Sequence, residues 1–377
     1  MQIAYVGVFQ HLPANSGNDW YSLQLVDDLK DIGRVTLFYT QQENGKSGHS
    51  PSDPSVEQRL LPPTFKWRRV SSRLDQLRPE MLVDGSAAKH IEADLVLARL
   101  YSYHIARHVA KNNNAPIVIV MQNIEWQYLK NVGYSPLIYA PARLYESFVR
   151  KKAAAVTALS PKDYAYATKR TAAEKVFYVP YCPNDNVFNA DMSPCYDYGT
   201  DKLNVVFYGS LDRTHNAKAL EFIKRDLIPI MKQRGLFHLI KIHVFGSGAP
   251  PPSLDLENDS DINFLGSVES PAPYIRGADV VIVPVRNSSG VKVRVLEALS
   301  CNKRIITFPE ATFGLESELR ESVTIASTAE SFAEALSSLV ERERAQTSLA
   351  NTGAGNSSKK VQTASEAALY ALAKSKR

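Results

Sequence analysis

The chain has 377 residues, of which 44% are apolar and 22% charged, and a formal net charge of +5. This length exceeds one ordinary hydrophobic core, so two folded domains are predicted. The composition is that of a globular protein and excludes a disordered or collagen-like chain. The longest apolar runs, 117–121 and 280–285, are far shorter than the roughly 20 residues that cross a bilayer and therefore predict buried strands.

The amino terminus enters a strand pattern directly, without the basic region and cleavage site of a signal peptide, so a cytoplasmic protein is expected. Cys182, Cys195 and Cys301 have no partners at metal-ligand spacing and are expected to be structural thiols. Residues 1–180 hold 22 Lys and Arg against 16 Asp and Glu. This excess suits an anionic membrane surface or an acidic acceptor, whereas no nucleic-acid motif accompanies it and no nucleic-acid partner is expected.

In the first half, short apolar segments alternate with segments of helix length. Strands are predicted at 3–9, 35–39, 94–98, 116–121 and 154–159. A polar loop at 15–18 follows the first strand, and an amphipathic helix then runs from Trp20 to Lys30. This alternation predicts a parallel sheet covered by helices on both faces, in a domain spanning 1–183.

Residues 184–202 contain Pro194, Gly199 and many Asn and Asp residues and are predicted to link two domains. The alternation then restarts and predicts a second domain over 203–345. Its expected strands lie at 203–209, 241–246, 262–266, 279–285 and 304–308, and its expected helices at 217–234, 291–301 and 328–341. Residues 346–377 are predicted to form a further linker and a last helix at 362–374 that returns to the first domain. The predicted fold class is α/β, with two Rossmann-like doubly wound domains facing a cleft.

The segment 281–307 reads strand, Ser/Gly turn, helix, strand. In open α/β sheets such turns lie at the carboxyl ends of strands, where ligands bind. Ser288 or Ser289 is the expected helix N-cap, and Gly290 lets a ligand approach the backbone closely. The amides of residues 290–292 would then point at an anion, and a diphosphate fits such a site.

Charged side chains on the same segment favour this interpretation. Lys292 and Arg294 supply positive charge, and Glu297 is placed to accept hydrogen bonds from ribose hydroxyls. The structural alternative is an ordinary N-capped helix with a solvated basic face. The segment alone does not decide between them.

The motif G-V-K-V-R-V-L-E-A at 290–298 resembles the donor-site signature G-x-R-x-K-x-L-E-A of retaining family-4 glycosyltransferases of the GT-B fold, with Arg and Lys exchanged. The resemblance continues in FYGSLDRTHNAKALEFI at 207–223, KIHVFGSG at 241–248, INFLGSV at 262–268 and FGLE at 313–316. It implies transfer of a sugar from a UDP- or GDP-sugar to a hydroxyl of a glycan or lipid-linked acceptor, with retention. Such enzymes commonly act in the synthesis of cell-surface polysaccharide or glycoconjugates. The resemblance implies no cofactor and no essential metal, and the sequence shows no DxD element.

The resemblance also assigns roles to individual residues. Those implied in catalysis are Arg213, Lys292, Arg294 and Gln122. Those implied in donor binding are Gly17, Gly209, Gly246, Leu265, Ser289, Gly290, Val291 and Glu297. Those implied on the acceptor side are Asn18, Asn123 and Glu125, for which a hydrogen-bonded loop at 121–126 is the structural alternative.

Two positions depart from the family pattern. Many members carry two glutamates eight positions apart, and here Ser289 occupies the place of the first, so the identity of the donor sugar is open. Gln122 stands where a histidine is common.

The segment 65–79 carries Lys66, Arg68, Arg69, Arg73 and Arg78 among aromatic and aliphatic residues. It can lie on anionic lipid as a basic amphipathic helix, or it can be a solvated helix of the first domain.

Rival functions are a GT-B sugar-nucleotide epimerase, an inverting transferase and a two-domain ligand-binding protein. A Rossmann dehydrogenase is disfavoured, because no G-x-G-x-x-G follows the strands at 3–9 or 203–209.

Overall fold

The computed structural model describes residues 1–6, 17–39, 56–60, 88, 90–183, 185–199, 201–286 and 290–349. These residues form two compact units, one running from Met1 to Tyr181 and one beginning at Cys182. The basic segment 65–79, the residues Ser288 and Ser289, and the helix expected at 362–374 lie outside the described residues.

The first unit is a parallel sheet in the order β3-β2-β1-β4-β5-β6-β7. Its strands are β1 (Gln2–Val6), β2 (Arg34–Tyr39), β3 (Val56–Leu60), β4 (Leu95–Arg99), β5 (Ile117–Met121), β6 (Ala155–Ala158) and β7 (Val176–Tyr178). Its helices are α1 (Gly17–Lys30), α2 (Tyr103–Asn113), α3 (Glu125–Val132), α4 (Pro136–Lys152) and α5 (Pro161–Thr168). The strand order reverses at β1, which makes the sheet doubly wound as predicted.

Local sequence explains where these helices begin and end. Pro136 and Pro161 start α4 and α5, because proline has no amide hydrogen to leave unpaired in a first turn. The Ser160 hydroxyl accepts a hydrogen bond from the Asp163 amide and caps α5. Gly133 ends α3 with φ 97°, a conformation that glycine adopts without strain.

The second unit repeats the topology with strand order β10-β9-β8-β11-β12-β13, again all parallel. Its strands are β8 (Leu203–Tyr208), β9 (Ile240–Phe245), β10 (Ile262–Gly266), β11 (Val280–Val283), β12 (Arg304–Thr307) and β13 (Thr324–Ile325). Its helices are α6 (Asp185–Phe188), α7 (Thr214–Phe222), α8 (Ile228–Gln233), α9 (Ala272–Gly277), α10 (Val293–Ser300), α11 (Ser317–Glu321) and α12 (Ala329–Leu349). Every residue of β8 and β11 is buried, which accounts for the apolar sequence of both strands apart from Asn204.

A row of polar side chains crosses the buried sheet of this unit. The His243 ring on β9 lies 3.0 Å from the Asn204 side-chain oxygen on β8 and 3.0 Å from the Asn263 amide nitrogen on β10. Burial and the charge of Lys241 lower the pKa of His243 to about 4. The neutral ring can therefore donate to Asn204 and accept from Asn263, and this pairing ties three strands together.

Some elements differ from the sequence-based predictions. The helix expected from 217 begins at Thr214, and a π-helical turn at Ile223–Leu227 separates α7 from α8. The last described helix runs to Leu349 rather than to 341, so the linker predicted from 346 was wrong for its first residues, which include the helix formers Gln346 and Leu349. Strands β3 and β13 were not predicted, because β3 is polar and β13 has two residues.

The described part of 184–202 contains α6 and packs on the second unit. The Tyr196 amide donates to the Pro273 carbonyl at 2.9 Å, and Arg276 donates to the carbonyls of Val187 and Pro194 at 2.6 and 3.1 Å. None of the described helices is long and apolar enough to cross a bilayer.

The close packing between the ends of β8 and β9 can be tested at Gly246, which directly follows β9. It has φ 148°, and a Cβ there would overlap the Gly209 carbonyl oxygen. We expect Gly246→Ala to lower the free energy of unfolding by about 3 kcal/mol or more, since it combines backbone strain with overpacking. Chemical denaturation measures the loss.

Gly235→Ala is the matched control. Gly235 has φ 66°, but no atom lies within 4 Å of an added Cβ. It should cost about 1 kcal/mol from backbone strain alone. Equal losses in the two variants would contradict the packing argument.

Candidate functional site

The strand order of the second unit reverses at β8, between β8 and β11. In doubly wound sheets the crevice at this reversal, beyond the carboxyl ends of the strands, is where ligands bind. Gly209 directly follows β8, and residues 290–292 lead from the end of β11 into α10. The strand order thus places the two predicted donor-site segments at the same edge of one sheet.

The Arg294 side chain lies against the backbone at Gly209. A Cβ on Gly209 would be 2.8 Å from one terminal nitrogen of Arg294 and 3.0 Å from its Cζ, and Gly209 has φ 144°. The guanidinium also lies 5.4 and 5.7 Å from the ring centroids of Phe207 and Tyr208. Only glycine at 209 leaves room for this arrangement.

The hydrogen bonding of Arg294 is incomplete within the described residues. Its Nη2 donates to the Asn216 side-chain oxygen at 2.6 Å, and Asn216 in turn donates to the Ser210 carbonyl at 2.8 Å. Its Nη1 is enclosed and has no partner among the residues that the structure describes. Burial lowers the pKa of Arg294, while the charges of Tyr208 and Glu297 raise it. A buried donor without a partner is costly, so this nitrogen marks a place for an acceptor.

Glu297 lies one turn further along α10 and is 3% exposed. Its Oε2 accepts a hydrogen bond from the Tyr208 hydroxyl at 2.8 Å. Burial raises the pKa of Glu297 to about 7, although the Tyr208 hydrogen bond and the Arg294 charge both lower it. The implied contact of Glu297 with ribose stays a prediction.

The implied basic residues surround His215, the second residue of α7. Burial, together with the charges of Arg294, Lys292 and Arg213, lowers the pKa of His215 to about 3. The structure therefore brings Arg213, Lys292 and Arg294 together around a neutral imidazole, and we call these four residues the basic cluster. Such a concentration of positive charge attracts an anion.

The turn before α10 differs from its prediction. The helix begins at Val293 with Lys292 as its N-cap residue, so a serine N-cap at 288 or 289 was wrong. The Lys292 amine instead donates to the Gly290 carbonyl at 3.1 Å. Gly290 has φ 71°, a conformation that favours glycine, and the predicted close approach of a ligand there stays a prediction.

The turn is supported by Gly314, whose backbone packs on it. A Cβ on Gly314 would lie 2.9 Å from both the Cα and the nitrogen of Val291. The segment FGLE at 313–316 thus has a structural role beside the turn.

The remaining predicted donor residues lie at neighbouring strand ends. Gly246 follows β9, its amide donates to the Gly266 carbonyl at 2.8 Å, and Leu265 precedes Gly266 on β10. The Gly209 amide donates to the Phe245 carbonyl at 3.2 Å, which aligns the ends of β8 and β9.

The predicted residues of the first unit fall at two places. Gly17 and Asn18 form the first turn of α1, so the helix starts earlier than the expected Trp20 and takes in the end of the predicted loop. A small pocket lies beyond the carboxyl ends of β4 and β5 and includes Gln122, Asn123 and Glu125. Its wall also includes Arg99, Tyr101 and Glu146.

Glu146 is the least exposed of the charged residues in this pocket, at 1%. It projects from α4 and pairs with Arg150 at 3.5 Å. Burial raises the pKa of Glu146, and the Tyr166 hydroxyl and the Arg150 charge offset part of that rise. The pocket therefore combines a buried carboxyl with the amide side chains of Gln122 and Asn123.

Sequence reasoning missed Tyr208, His215, Asn216 and Glu146 as site residues. Three of them lie in FYGSLDRTHNAKALEFI, whose resemblance was noted as a whole, and a polar H-N pair at a helix start was the available signal. Among the described residues, no group of three or more His, Cys, Asp or Glu side chains can hold a metal ion.

Residues 202–342 match the family described as Glycosyl transferases group 1. Comparison with curated protein sequences gives no match.

Solved structures match nearly the whole chain. Sucrose-phosphate synthase from Thermosynechococcus elongatus has a TM-score of 0.67 at 16% identity, covering 93% of this chain and 91% of that chain. HepE from Anabaena, solved with UDP and glucose, has 0.63 at 14% identity and 91% of each chain. WaaG, a glycosyltransferase involved in lipopolysaccharide biosynthesis, has 0.62 at 13% identity and 98% of each chain.

These matches and the two doubly wound sheets show that the chain has the GT-B fold. The match to glycosyl transferases of group 1 lies within the second unit.

The raised pKa of Glu297 has a consequence for stability. Because this pKa is about 7 in the folded chain against an ordinary 4.5, the folded state holds a proton that the unfolded state has lost. The free energy of unfolding should fall as pH rises from 4.5 to 7 and level off above it, with a slope of up to about 1.4 kcal/mol per pH unit. Glu297→Gln should remove that slope in denaturation curves across this range.

Glu341→Gln removes an exposed glutamate from the same unit and serves as control. An unchanged pH slope in Glu297→Gln, relative to this control, would refute the assignment.

Proposed function

We propose that this chain transfers a sugar from a UDP- or GDP-sugar to a hydroxyl of a glycan or lipid-linked acceptor, with retention of configuration. The observation that carries the proposal is the Arg294 guanidinium, held at the strand reversal with Nη1 enclosed and lacking a partner among the described residues. A diphosphate oxygen is the acceptor that such a nitrogen suits, since arginine pairs strongly with phosphate.

The basic cluster supplies the chemistry that this reaction needs from the protein. Negative charge develops on the leaving diphosphate as the bond to the sugar breaks. Lys292, Arg294 and Arg213 would stabilise that charge, because they are positioned before the reaction begins. His215 stays neutral, so it can donate one hydrogen bond without adding a fourth charge.

Retention and the absence of a metal belong to this proposal. In a front-face transfer the departing phosphate oxygen takes the proton of the acceptor hydroxyl, so no carboxylate nucleophile is needed. The positive side chains take the part that a divalent cation plays in other phosphate sites.

Known relatives support the donor and the setting. HepE binds UDP and glucose, and WaaG acts in lipopolysaccharide synthesis. We therefore place UDP-glucose first among donors to be tried and cell-surface glycan synthesis first among settings, with the chain in the cytoplasm. The pocket with Gln122, Asn123 and Glu125 is proposed as the acceptor side.

A sugar-nucleotide epimerase or an inverting transferase would use the same fold. An epimerase converts the donor without an acceptor, and an inverting enzyme gives the opposite anomer. NMR of the product anomeric proton separates the three, and the proposal requires the donor configuration to be kept.

Arg294→Ala tests the phosphate site. With a donor selected by thermal shift among UDP-, GDP-, ADP- and dTDP-sugars, we expect turnover to fall by about 10²- to 10³-fold, the range for losing one charge-stabilising donor. Release of the nucleoside diphosphate measures it.

Arg225→Ala removes an exposed arginine from the π-helical turn of the same unit and should keep wild-type turnover. If Arg294→Ala turned over donor as fast as this control, the phosphate site would be misplaced.

Metal removal is the second test. Because Arg and Lys side chains are proposed to stabilise the diphosphate, turnover should be unchanged after dialysis against EDTA. A loss of turnover that added Mg²⁺ or Mn²⁺ restores would disprove metal independence. It would not contradict the proposed phosphate site at Arg294.

A further inference from the structure

Helix α4 of the first unit exposes a row of large apolar side chains. Leu137 is 87% exposed, Leu144 73% and Phe148 47%. With exposed Pro141 they are spaced four, three and four residues apart, which places them on one stripe of a helix with 3.6 residues per turn. We call these four residues the α4 stripe. Ile138, 43% exposed, lies beside it.

The opposite side of the same helix is buried. Glu146, Val149 and Arg150 are buried against the body of the unit. Helix α4 therefore has one face buried in the core of the unit, and its opposite face carries apolar side chains at the surface. Contiguous exposed apolar surface of this kind marks a binding surface.

The charges around the stripe have one sign. From 126 to 162 the sequence contains a single acid, Glu146, and it is buried. Lys151 and Lys152 are exposed and, by helical spacing, flank the stripe on its two sides. Lys130 on α3, which packs against α4, is also exposed.

We propose that the α4 stripe docks this protein on an anionic membrane surface. Apolar side chains would enter the boundary between headgroups and acyl chains, and the lysines beside them would pair with anionic headgroups. This arrangement requires both features together, an apolar stripe and a basic margin, and α4 has both.

Charge also argues against other occupants. In a twofold dimer the same patch faces itself, which would bring Lys151 and Lys152 of one copy against those of the other. The segments 65–79 and 374–377 of this chain are basic as well, so neither complements the patch. An anionic lipid surface does.

The inner face of α4 connects the proposed membrane docking with the proposed acceptor pocket. Glu146, between Leu144 and Phe148 in sequence, lines the pocket proposed for the acceptor. A membrane bound to the outer face would lie one helix diameter, about 10 Å, from that pocket. Delivery of a lipid-linked acceptor rests on the proposed function, whereas the docking itself does not.

Vesicle flotation of the full chain tests the proposal. Wild type should float with vesicles of phosphatidylglycerol and phosphatidylcholine in equal parts, and at least tenfold less with phosphatidylcholine alone. Leu144→Ser with Phe148→Ser should lower flotation on the anionic vesicles by tenfold or more. Lys151→Glu with Lys152→Glu should lower it similarly, and high salt should weaken wild-type binding.

Two controls keep the test specific. Ile325→Ser removes an exposed apolar residue of the second unit and should float as wild type. Each variant should keep the wild-type thermal midpoint and nucleotide-sugar hydrolysis in solution, so that loss of docking is separated from loss of the phosphate site.

The proposal is overturned if wild type does not float, or if the Leu144 and Phe148 variant floats as wild type. It is also overturned if Arg68→Ala with Arg69→Ala alone abolishes flotation, which would assign docking to 65–79. A concentration-dependent dimer that the Leu144 and Phe148 variant disrupts would make the stripe a protein interface instead.

Discussion

The contact between the Arg294 guanidinium and the backbone at Gly209 constrains the whole of the candidate site. It requires a residue without a side chain at the end of β8, because a Cβ there would meet the guanidinium at 2.8 Å. It also requires an acceptor on α7, which Asn216 provides at 2.6 Å. One side chain therefore connects β8, α7 and α10, and the turn at 290–292 leads directly into the helix that carries it.

The electrostatics of the site follow from this contact. A buried arginine needs a counter-charge, and Glu297 is the nearest described acid on its helix. Burial raises the pKa of Glu297 to about 7, so near neutral pH this carboxyl cancels only part of the positive charge. His215 responds in the opposite sense and stays neutral, with its pKa near 3. The site thus keeps a positive charge that a bound anion would offset, and this makes anion binding and local stability interdependent.

Much of the fold could be predicted, because the strands are buried on both faces and read as apolar runs. Segments such as 117–121 and 280–283 are short and rich in β-branched residues, which favours a central strand. Strand β3 was missed because VEQRL has three consecutive polar residues between its Val and its Leu. The start of α10 was missed because Ser288 and Ser289 match a capping preference, whereas the helix begins after Lys292. Local sequence preference predicts the start of a helix poorly where another segment packs on the turn before it, as Gly314 packs on Val291.

The site was predictable only in part, for a different reason. Lys292, Arg294 and Glu297 share one segment, so spacing alone brought them together. Tyr208, Asn216 and His215 reach the same place from β8 and α7, and only the strand order joins those elements to α10. Glu146 lies on a helix that sequence reasoning had not singled out, and its pocket exists because β4 and β5 end side by side.

The exchange of Lys and Arg relative to the family pattern acquires a physical meaning from these contacts. The Arg294 position presents two aromatic rings, a carboxamide and a glycine backbone, and a planar guanidinium can face all of them at once. A lysine ammonium there could bond Asn216, but its three donors share one nitrogen and lack the planar fork of a guanidinium. At 292 the amine donates to the Gly290 carbonyl, an acceptor that lysine satisfies. The two positions are therefore not equivalent sites for positive charge. Restoring the family order would place a lysine at 294, and the guanidinium that can bond Asn216 and a ligand at the same time would be lost.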